Sequence, residues 1–188
     1  MRTEICKDLN ALHPKVKELA LKLLEECKKA GLNIKISETY RTTERQDDLY
    51  AQGRTRSGNI VTYSKGSSMS SYHQWRLAFD IYNDVPGDAY NINILNKAGA
   101  LGEKLGLEWG GSWPRLKDRP HFQYTFNLSI ADLRAGKNPP ENLGMSYEDA
   151  VKILAEKGII NSPNVWLNTN DFPVNNVKHL IKKVAQIL

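Results

Sequence analysis

Stretches with apolar residues at helical spacing take turns along this chain with short runs that alternate at period two, and that alternation confines most of it to a small mixed helix-and-strand domain. Pro14 stands at a first-turn position, and Val16, Leu19, Ala20, Leu23 and Cys27 then recur on one helical face until Gly31. Asn33 to Ser37 alternates as a strand and delivers Tyr40-Arg41-Thr42. A second helix carries Gln46, Leu49 and Tyr50 on one side and stops at Gly53. Ala78 to Tyr82 alternates again, with Ala78, Asp80 and Tyr82 on one face and Phe79 and Ile81 on the other. Ile94, Leu95, Ala98, Leu101 and Leu105 predict a third helix ending at Gly106, and His121-Phe122-Gln123-Tyr124 reads as a third strand.

A chain of 188 residues, 40% hydrophobic, can bury one good core and a small appendage. Gly136-Lys137-Asn138-Pro139-Pro140 breaks regular structure, so the expected organisation is a main domain over residues 1–135, a linker over 136–145 and a helical module over 146–188. Ser146 and Asp149 form a cap for a helix with Tyr147, Ala150, Val151 and Leu154. A last helix carries Val177, Leu180, Ile181, Val184 and Leu188. So small a pair is expected to pack on the main domain or on another copy, giving a homo-oligomer. Met145 is a candidate internal start.

No apolar stretch approaches the roughly 20 residues of a membrane span, and the first residues lack the apolar centre of a signal peptide, so synthesis in the cytoplasm without membrane insertion is expected. The two cysteines, Cys6 and Cys27, read as free thiols. Five lysines balance five acids from Glu141 onward, so the whole net charge of +5 lies before it and suits an anionic polymer. No nucleic-acid-binding motif accompanies the charge, which argues against that class of partner.

The chemistry rests on four histidines. A hydrolytic zinc site needs three protein ligands and one open position, commonly imidazoles plus a carboxylate. His13 precedes a helix-starting proline and His179 sits among lysines, whereas His73 and His121 border strands with Asp80 and Asp118 close by in sequence.

Here the residues reach a pattern. Ser71-Tyr72-His73-Gln74-Trp75-Arg76-Leu77-Ala78-Phe79-Asp80 resembles the S-x-H-x-x-G-x-A-x-D motif of the LAS-type metallopeptidases, and Asp118-Arg119-Pro120-His121 resembles their second motif. Tyr40-Arg41-Thr42 with Gln46 and Leu49-Tyr50 is similar to the family's Y-R-[ST]-x3-Q-x2-L-[FY] segment. The resemblance spans roughly residues 10 to 128 and implies an α+β fold, a small antiparallel sheet flanked by helices. It implies Zn2+ held by His73, Asp80 and His121, with Asp118 as general base and Arg41 clamping a substrate carboxylate or the oxyanion. Glu108 is a rival base at a spacing that does not fit the motif. Ser71 is expected to orient a ligand by a hydrogen bond, Gln46 to support the site, and Trp109 and Trp113, with Trp75, to line a groove.

One residue departs from the motif: Arg76 stands at its glycine, so the backbone there is expected in a conformation open to residues with side chains. The family includes VanY-like D-alanyl-D-alanine carboxypeptidases and phage endolysins that cut L-alanyl-D-glutamate bonds. Leu105 to Gly111 and Pro120 to Tyr124 look more like the endolysins. The resemblance therefore implies a peptidoglycan L-alanyl-D-glutamate endopeptidase, made without a signal peptide and acting on the wall after release. The carboxypeptidase and a non-catalytic wall-binding module are the alternatives.

Overall fold

The computed structural model describes residues 3–140 and 147–161, together with Lys182 and Val184. The chain divides into two compact units, Met1–Pro140 and Glu141–Leu188. In the first, α1 (Pro14–Lys29) begins on its proline, with His13 Nδ1 accepting from Lys15 N–H, and buries the expected stripe of Val16, Leu19, Ala20, Leu23 and Cys27. Burial pushes the Cys27 thiol up to about 11, and both cysteines are free. β1 (Ile34–Glu38) leads to α2 (Thr43–Ala51), which the Thr42 hydroxyl caps by accepting from Arg45 N–H. A long irregular stretch and a 3-10 turn at Tyr72–Trp75 then lead into β2 (Ala78–Asn83). α3 (Ile92–Lys104), β3 (Glu108–Trp109), β4 (His121–Gln123) and the short α4 (Ile130–Arg134) complete the unit.

The four strands form one antiparallel sheet in the order β1-β2-β4-β3. β3 adds a strand to the three the sequence predicts; two residues are too few to show a period, and only pairing with β4 defines it. The alternation in β2 fixes what each face does. Phe79 and Ile81 are fully buried in a core with Leu23, Leu77, Leu95 and Phe122, while Asp80 faces the other way. Phe79 lies opposite Phe122 in the register, their rings stacked 5.6 Å apart. Each such side chain contributes about 1.5–3 kcal/mol by leaving water. α3 can lie this close because of Gly102: a methyl group there would stand 2.4 Å from the Phe122 ring. One face of the sheet is thus core, and the other is free to carry polar groups.

In the second unit, α5 (Tyr147–Glu156) buries Ala150 and Leu154, with Ile153 and Ile160 packed on them. The expected cap residue Ser146, the helix over 177–188 apart from Lys182 and Val184, and Met145 lie outside the described residues. Among the described residues no helix is long and apolar enough to cross a membrane.

Candidate metal centre and active site

Two of the three expected ligands are brought together by strand register alone. Asp80 on β2 pairs directly with His121 on β4, placing His121 Nδ1 3.1 Å from Asp80 Oδ1. His73 arrives from the 3-10 turn before β2, its Nε2 3.2 Å from both Asp80 Oδ1 and His121 Nδ1. His73 is 1% exposed and His121 7%, so water competes little for these atoms. The three residues form the one cluster of potential metal ligands among the described residues.

The outer contacts decide which way each imidazole is turned. His73 Nδ1 lies 2.6 Å from the Thr39 carbonyl, which can only accept, so Nδ1 carries the hydrogen and Nε2 offers a lone pair. His121 Nε2 lies 3.0 Å from Gln123 Oε1, again an acceptor, leaving a lone pair on Nδ1 of the neutral ring. Two lone pairs and a carboxylate oxygen therefore converge within 3.1–3.2 Å of each other. That arrangement repels itself unless a cation or a proton sits in the middle. Around a tetrahedral zinc with bonds of about 2.0–2.2 Å, ligand atoms stand about 3.3–3.6 Å apart, so the three atoms need open by only a few tenths of an ångström to hold the ion. The donor set, the spacing and the polarity fit such an ion.

The carboxylate is held as carefully as the rings. Arg41 Nη2 donates to Asp80 Oδ2, which turns Oδ1 toward the histidines. Arg41 Nε donates to Glu38 Oε2 at 2.7 Å, and Arg45 Nε donates to the other Glu38 oxygen at 2.8 Å. Burial alone would raise the Asp80 pKa, but a proton carried by the facing imidazoles, His73 first, and the charge of Arg41 outweigh it and hold the carboxyl of the metal-free protein well below its usual range. In the metal-free protein burial lowers the His73 pKa, and the charge of Asp80 does not fully offset this. For His121 burial also lowers, but the hydrogen bond and charge of Asp80, aided by Asp118, win and raise it. Without metal, His121 therefore takes up a proton more readily than an ordinary imidazole, and that proton can stand in for the cation's charge.

Asp118 reaches the same centre by a turn. Its carbonyl accepts from His121 N–H at 3.2 Å, with Arg119 and Pro120 between, and its own N–H donates to the Gly110 carbonyl at 3.0 Å. A methyl group at Gly110 would stand 2.4 Å from the Asp118 carbonyl oxygen, so only glycine allows this approach. Among the described residues the Asp118 carboxylate accepts no hydrogen bond. Burial first, and the charge of Asp80 second, push its pKa above the ordinary aspartate range, against the pull of His121, Arg41 and His73. It faces a cleft of about 480 Å³ that also reaches His73, Asp80, His121, Arg41 and Trp113. The Trp113 ring lies 5.2 Å from the His121 ring and walls one side.

Gln46, fully buried, donates to Thr62 Oγ1 and to the Ser64 carbonyl, at 3.2 and 2.9 Å, and so ties the loop that leads toward His73 onto α2. Its Oε1 faces Arg41 Nη1 at a long 3.5 Å.

Four expectations change, those for Trp75, Trp109, Ser71 and Arg76. Trp75 does not line the cleft: its indole N–H donates to the Met69 carbonyl at 3.0 Å. Trp109 does not line the cleft: its ring packs on Gly99 and Gly111, and its indole N–H donates to the Arg119 carbonyl at 2.8 Å, pinning the turn between Asp118 and His121. Ser71 does line the cleft, but its hydroxyl bonds no ligand; the Thr39 carbonyl and the Gln123 side chain do that work. Arg76 takes the left-handed conformation, φ 64 and ψ 22, that its motif's glycine would favour. There its N–H caps the 3-10 turn, its Nη1 donates to the Ala11 carbonyl at 2.9 Å and its guanidinium lies 4.5 Å from the Tyr40 ring centre. Glu108 stands away from the cleft and accepts from Gln123 Nε2 and from the Thr125 hydroxyl, both at 2.8 Å. Of the supporting groups, Gln123 carries a signal in the sequence, two residues after His121 on the same strand face. Thr39 carries none, because its backbone carbonyl is what matters.

Residues 65–124 match a peptidase M15 family model described as D-alanyl-D-alanine carboxypeptidase. The chain is 39% identical over 123 residues to the peptidoglycan L-alanyl-D-glutamate endopeptidase CwlK of Bacillus subtilis, covering 60% of this chain and 72% of that protein. It is 31% identical over 123 residues to the L-alanyl-D-glutamate peptidase of Listeria phage A118, covering 63% of this chain and 40% of that protein. Among solved structures it is similar to the Serratia marcescens L-Ala D-Glu endopeptidase ChiX, with a TM-score of 0.47 and 23% identity over 63% of this chain and 84% of that one. VanYB in complex with D-alanine-D-alanine matches with a TM-score of 0.45 and 15% identity, over 91% of each chain.

Proposed function

We propose, from the premise that this chain belongs to the peptidase M15 family together with Bacillus subtilis CwlK, that it is a zinc-dependent endopeptidase that hydrolyses the L-alanyl-D-glutamate bond of peptidoglycan stem peptides. The observation that carries the reading is the convergence of His73 Nε2, Asp80 Oδ1 and His121 Nδ1 at 3.1–3.2 Å in a cleft that Asp118 also lines, its carboxylate accepting no hydrogen bond among the described residues. The relatives named for L-alanyl-D-glutamate hydrolysis support the choice of bond.

Zinc, when bound by these three residues, supplies Lewis-acid polarisation and makes water acidic enough to lose a proton near neutral pH. Asp118 takes that proton as the water adds to the L-alanyl carbonyl carbon. It then returns the proton to the departing nitrogen of D-glutamate as the C–N bond breaks, leaving a carboxyl on L-alanine and an amine on D-glutamate. Arg41 keeps Asp80 turned toward the centre and places its Nη1, which among the described residues has only the long contact with Gln46, where it can bond a substrate oxygen. Trp113 shields His121 from solvent on the cleft side.

The reading further places the enzyme's action on the wall after release from the cell that makes it, and assigns the C-terminal module to wall binding or to association of copies. Mass spectrometry of fragments released from purified walls tests the reaction. New amino-terminal D-glutamate is the expected product; release of free D-alanine alone would favour the carboxypeptidase activity that the family model's description names. Asp118→Ala is expected to keep zinc and lose hydrolysis, and digestion at the parental rate would remove Asp118 from the mechanism.

A further inference from the structure

His121 and His73 are oriented by different kinds of group. The Thr39 carbonyl facing His73 Nδ1 is always an acceptor, so that ring has one choice. The partner of His121 Nε2 is the side-chain amide of Gln123, which can present an oxygen or an NH2. If the oxygen faces in, Nε2 carries the hydrogen and Nδ1 is free to bind metal. If the NH2 faces in, Nε2 must accept, and the hydrogen moves to Nδ1, where it blocks the site.

Asp80 makes this choice consequential. Its Oδ1, 3.1 Å from His121 Nδ1, attracts a hydrogen to the nitrogen that must stay bare. A counterweight stands on the other side of Gln123. Glu108 is the cross-strand partner of Gln123 in the β3–β4 register, and its Oε2 accepts from Gln123 Nε2 at 2.8 Å. Its Oε1 accepts from the Thr125 hydroxyl at 2.8 Å. An ionised carboxylate has no hydrogen to give, so it forces the NH2 of Gln123 outward and the oxygen inward. Gln123 and Thr125 are 6% and 7% exposed, leaving the amide little access to water that could satisfy the reversed orientation.

We infer that Glu108 is a positioning residue that, acting through Gln123, holds His121 in its metal-ligating tautomer. This rests on the triad being a metal site, not on which bond the enzyme cuts. It also separates Glu108 from a role as base: both its oxygens are engaged on the far side of Gln123, outside the cleft.

Glu108→Lys reverses the polarity of the relay, because an ammonium can only donate and would draw the Gln123 oxygen outward. The expected result is zinc affinity lower by roughly 10–100-fold in a chelator competition assay, the usual effect of losing a metal ligand's outer partner. The double variant Glu108→Lys with Gln123→Glu restores an acceptor between ammonium and imidazole and is expected to bring the affinity back near the parental value. A loss of charge or fold at the sheet edge would not be repaired in this way. Parental affinity in folded Glu108→Lys would overturn the inference, and so would a loss that the second substitution does not repair.

Should Glu108→Lys fail to fold, Glu108→Ala carries the test by 15N NMR of the metal-free protein, at alkaline pH where His121 is neutral. The hydrogen is expected on Nε2 in the parent and to shift toward Nδ1 in the variant; an unchanged tautomer would overturn the proposal. If the parent itself binds no zinc through His121, the metal-site reading fails instead, and the two failures are told apart.

Discussion

Arg76 occupies backbone space that suits glycine, and the cost of its β-carbon there can be measured by comparing Arg76→Gly with Arg76→Ala. Both substitutions remove the same contacts, the 2.9 Å bond to the Ala11 carbonyl and the stack on Tyr40, so those losses cancel between them. What remains is the β-carbon at φ 64. A left-handed conformation costs a non-glycine residue about 1–2 kcal/mol. Glycine gives back roughly 0.5–1 kcal/mol through its freer unfolded chain. The glycine variant is therefore expected to be more stable than the alanine variant by up to about 1.5 kcal/mol, or up to roughly 6 °C in Tm for a domain of this size. Both should fall below the parent, since a partly exposed hydrogen bond contributes about 0.5–1.5 kcal/mol and an exposed cation–π contact about 0.5–1 kcal/mol. Urea unfolding of the metal-free proteins, compared at a common m-value, reads the order parent, glycine, alanine. An alanine variant more stable than the glycine variant would refute the reasoning, because a strained backbone cannot favour the β-carbon.

The raised Asp118 pKa gives a signed expectation for the metal-free protein. Ionising this carboxyl in the folded chain costs stability at neutral pH, and the cost vanishes below its unfolded pKa of about 3.9. Asp118→Asn should thus be more stable than the parent at neutral pH, with the gap closing as pH falls from the raised folded value to the unfolded one; a gap independent of pH would contradict this. For the loaded enzyme kcat/KM should fall on the acid side as the base protonates, and a profile with no acid limb would count against Asp118. Because His121 holds a proton more tightly than usual without metal, zinc uptake near neutral pH should release protons, seen as a calorimetric heat that varies with buffer ionisation enthalpy; no such variation would speak against the exchange. Trp109→Phe, which loses the bond to the Arg119 carbonyl, should cost about 0.5–1.5 kcal/mol and lower kcat while zinc stoichiometry stays at one. Unchanged stability and kcat would remove its role as a strut.

Where a side chain's neighbours are set by local periodicity, the sequence is a sufficient guide. The stripe from Val16 to Cys27 is the buried face of α1, and the alternation through Phe79-Asp80-Ile81 separates core from site. The metal triad is legible through its resemblance to a known motif, since no local period joins His73 and Asp80, on a turn and the strand it feeds, to His121, which the β2–β4 register sets opposite Asp80. What escapes notice depends on tertiary register or on the backbone. The Thr39 carbonyl has no residue-type signal. The pairing of Glu108 with Gln123 needs β3, a strand too short to announce itself, and without it Glu108 looks like a rival base. Trp109 sits among motif residues and yet faces the core, since only the packing of α3 through Gly99 gives its ring a place. Arg76 misleads for an energetic reason: its contacts with Ala11 and Tyr40 help hold a conformation that its residue type disfavours.

A crystal of the zinc-loaded protein, measured on both sides of the zinc absorption edge, tests the central claim most directly. One anomalous peak is expected, bonded to His73 Nε2, Asp80 Oδ1 and His121 Nδ1 at about 2.0–2.2 Å with the Asp118 carboxylate facing its open side. An ion held elsewhere, or bound without one of these three atoms, would contradict it.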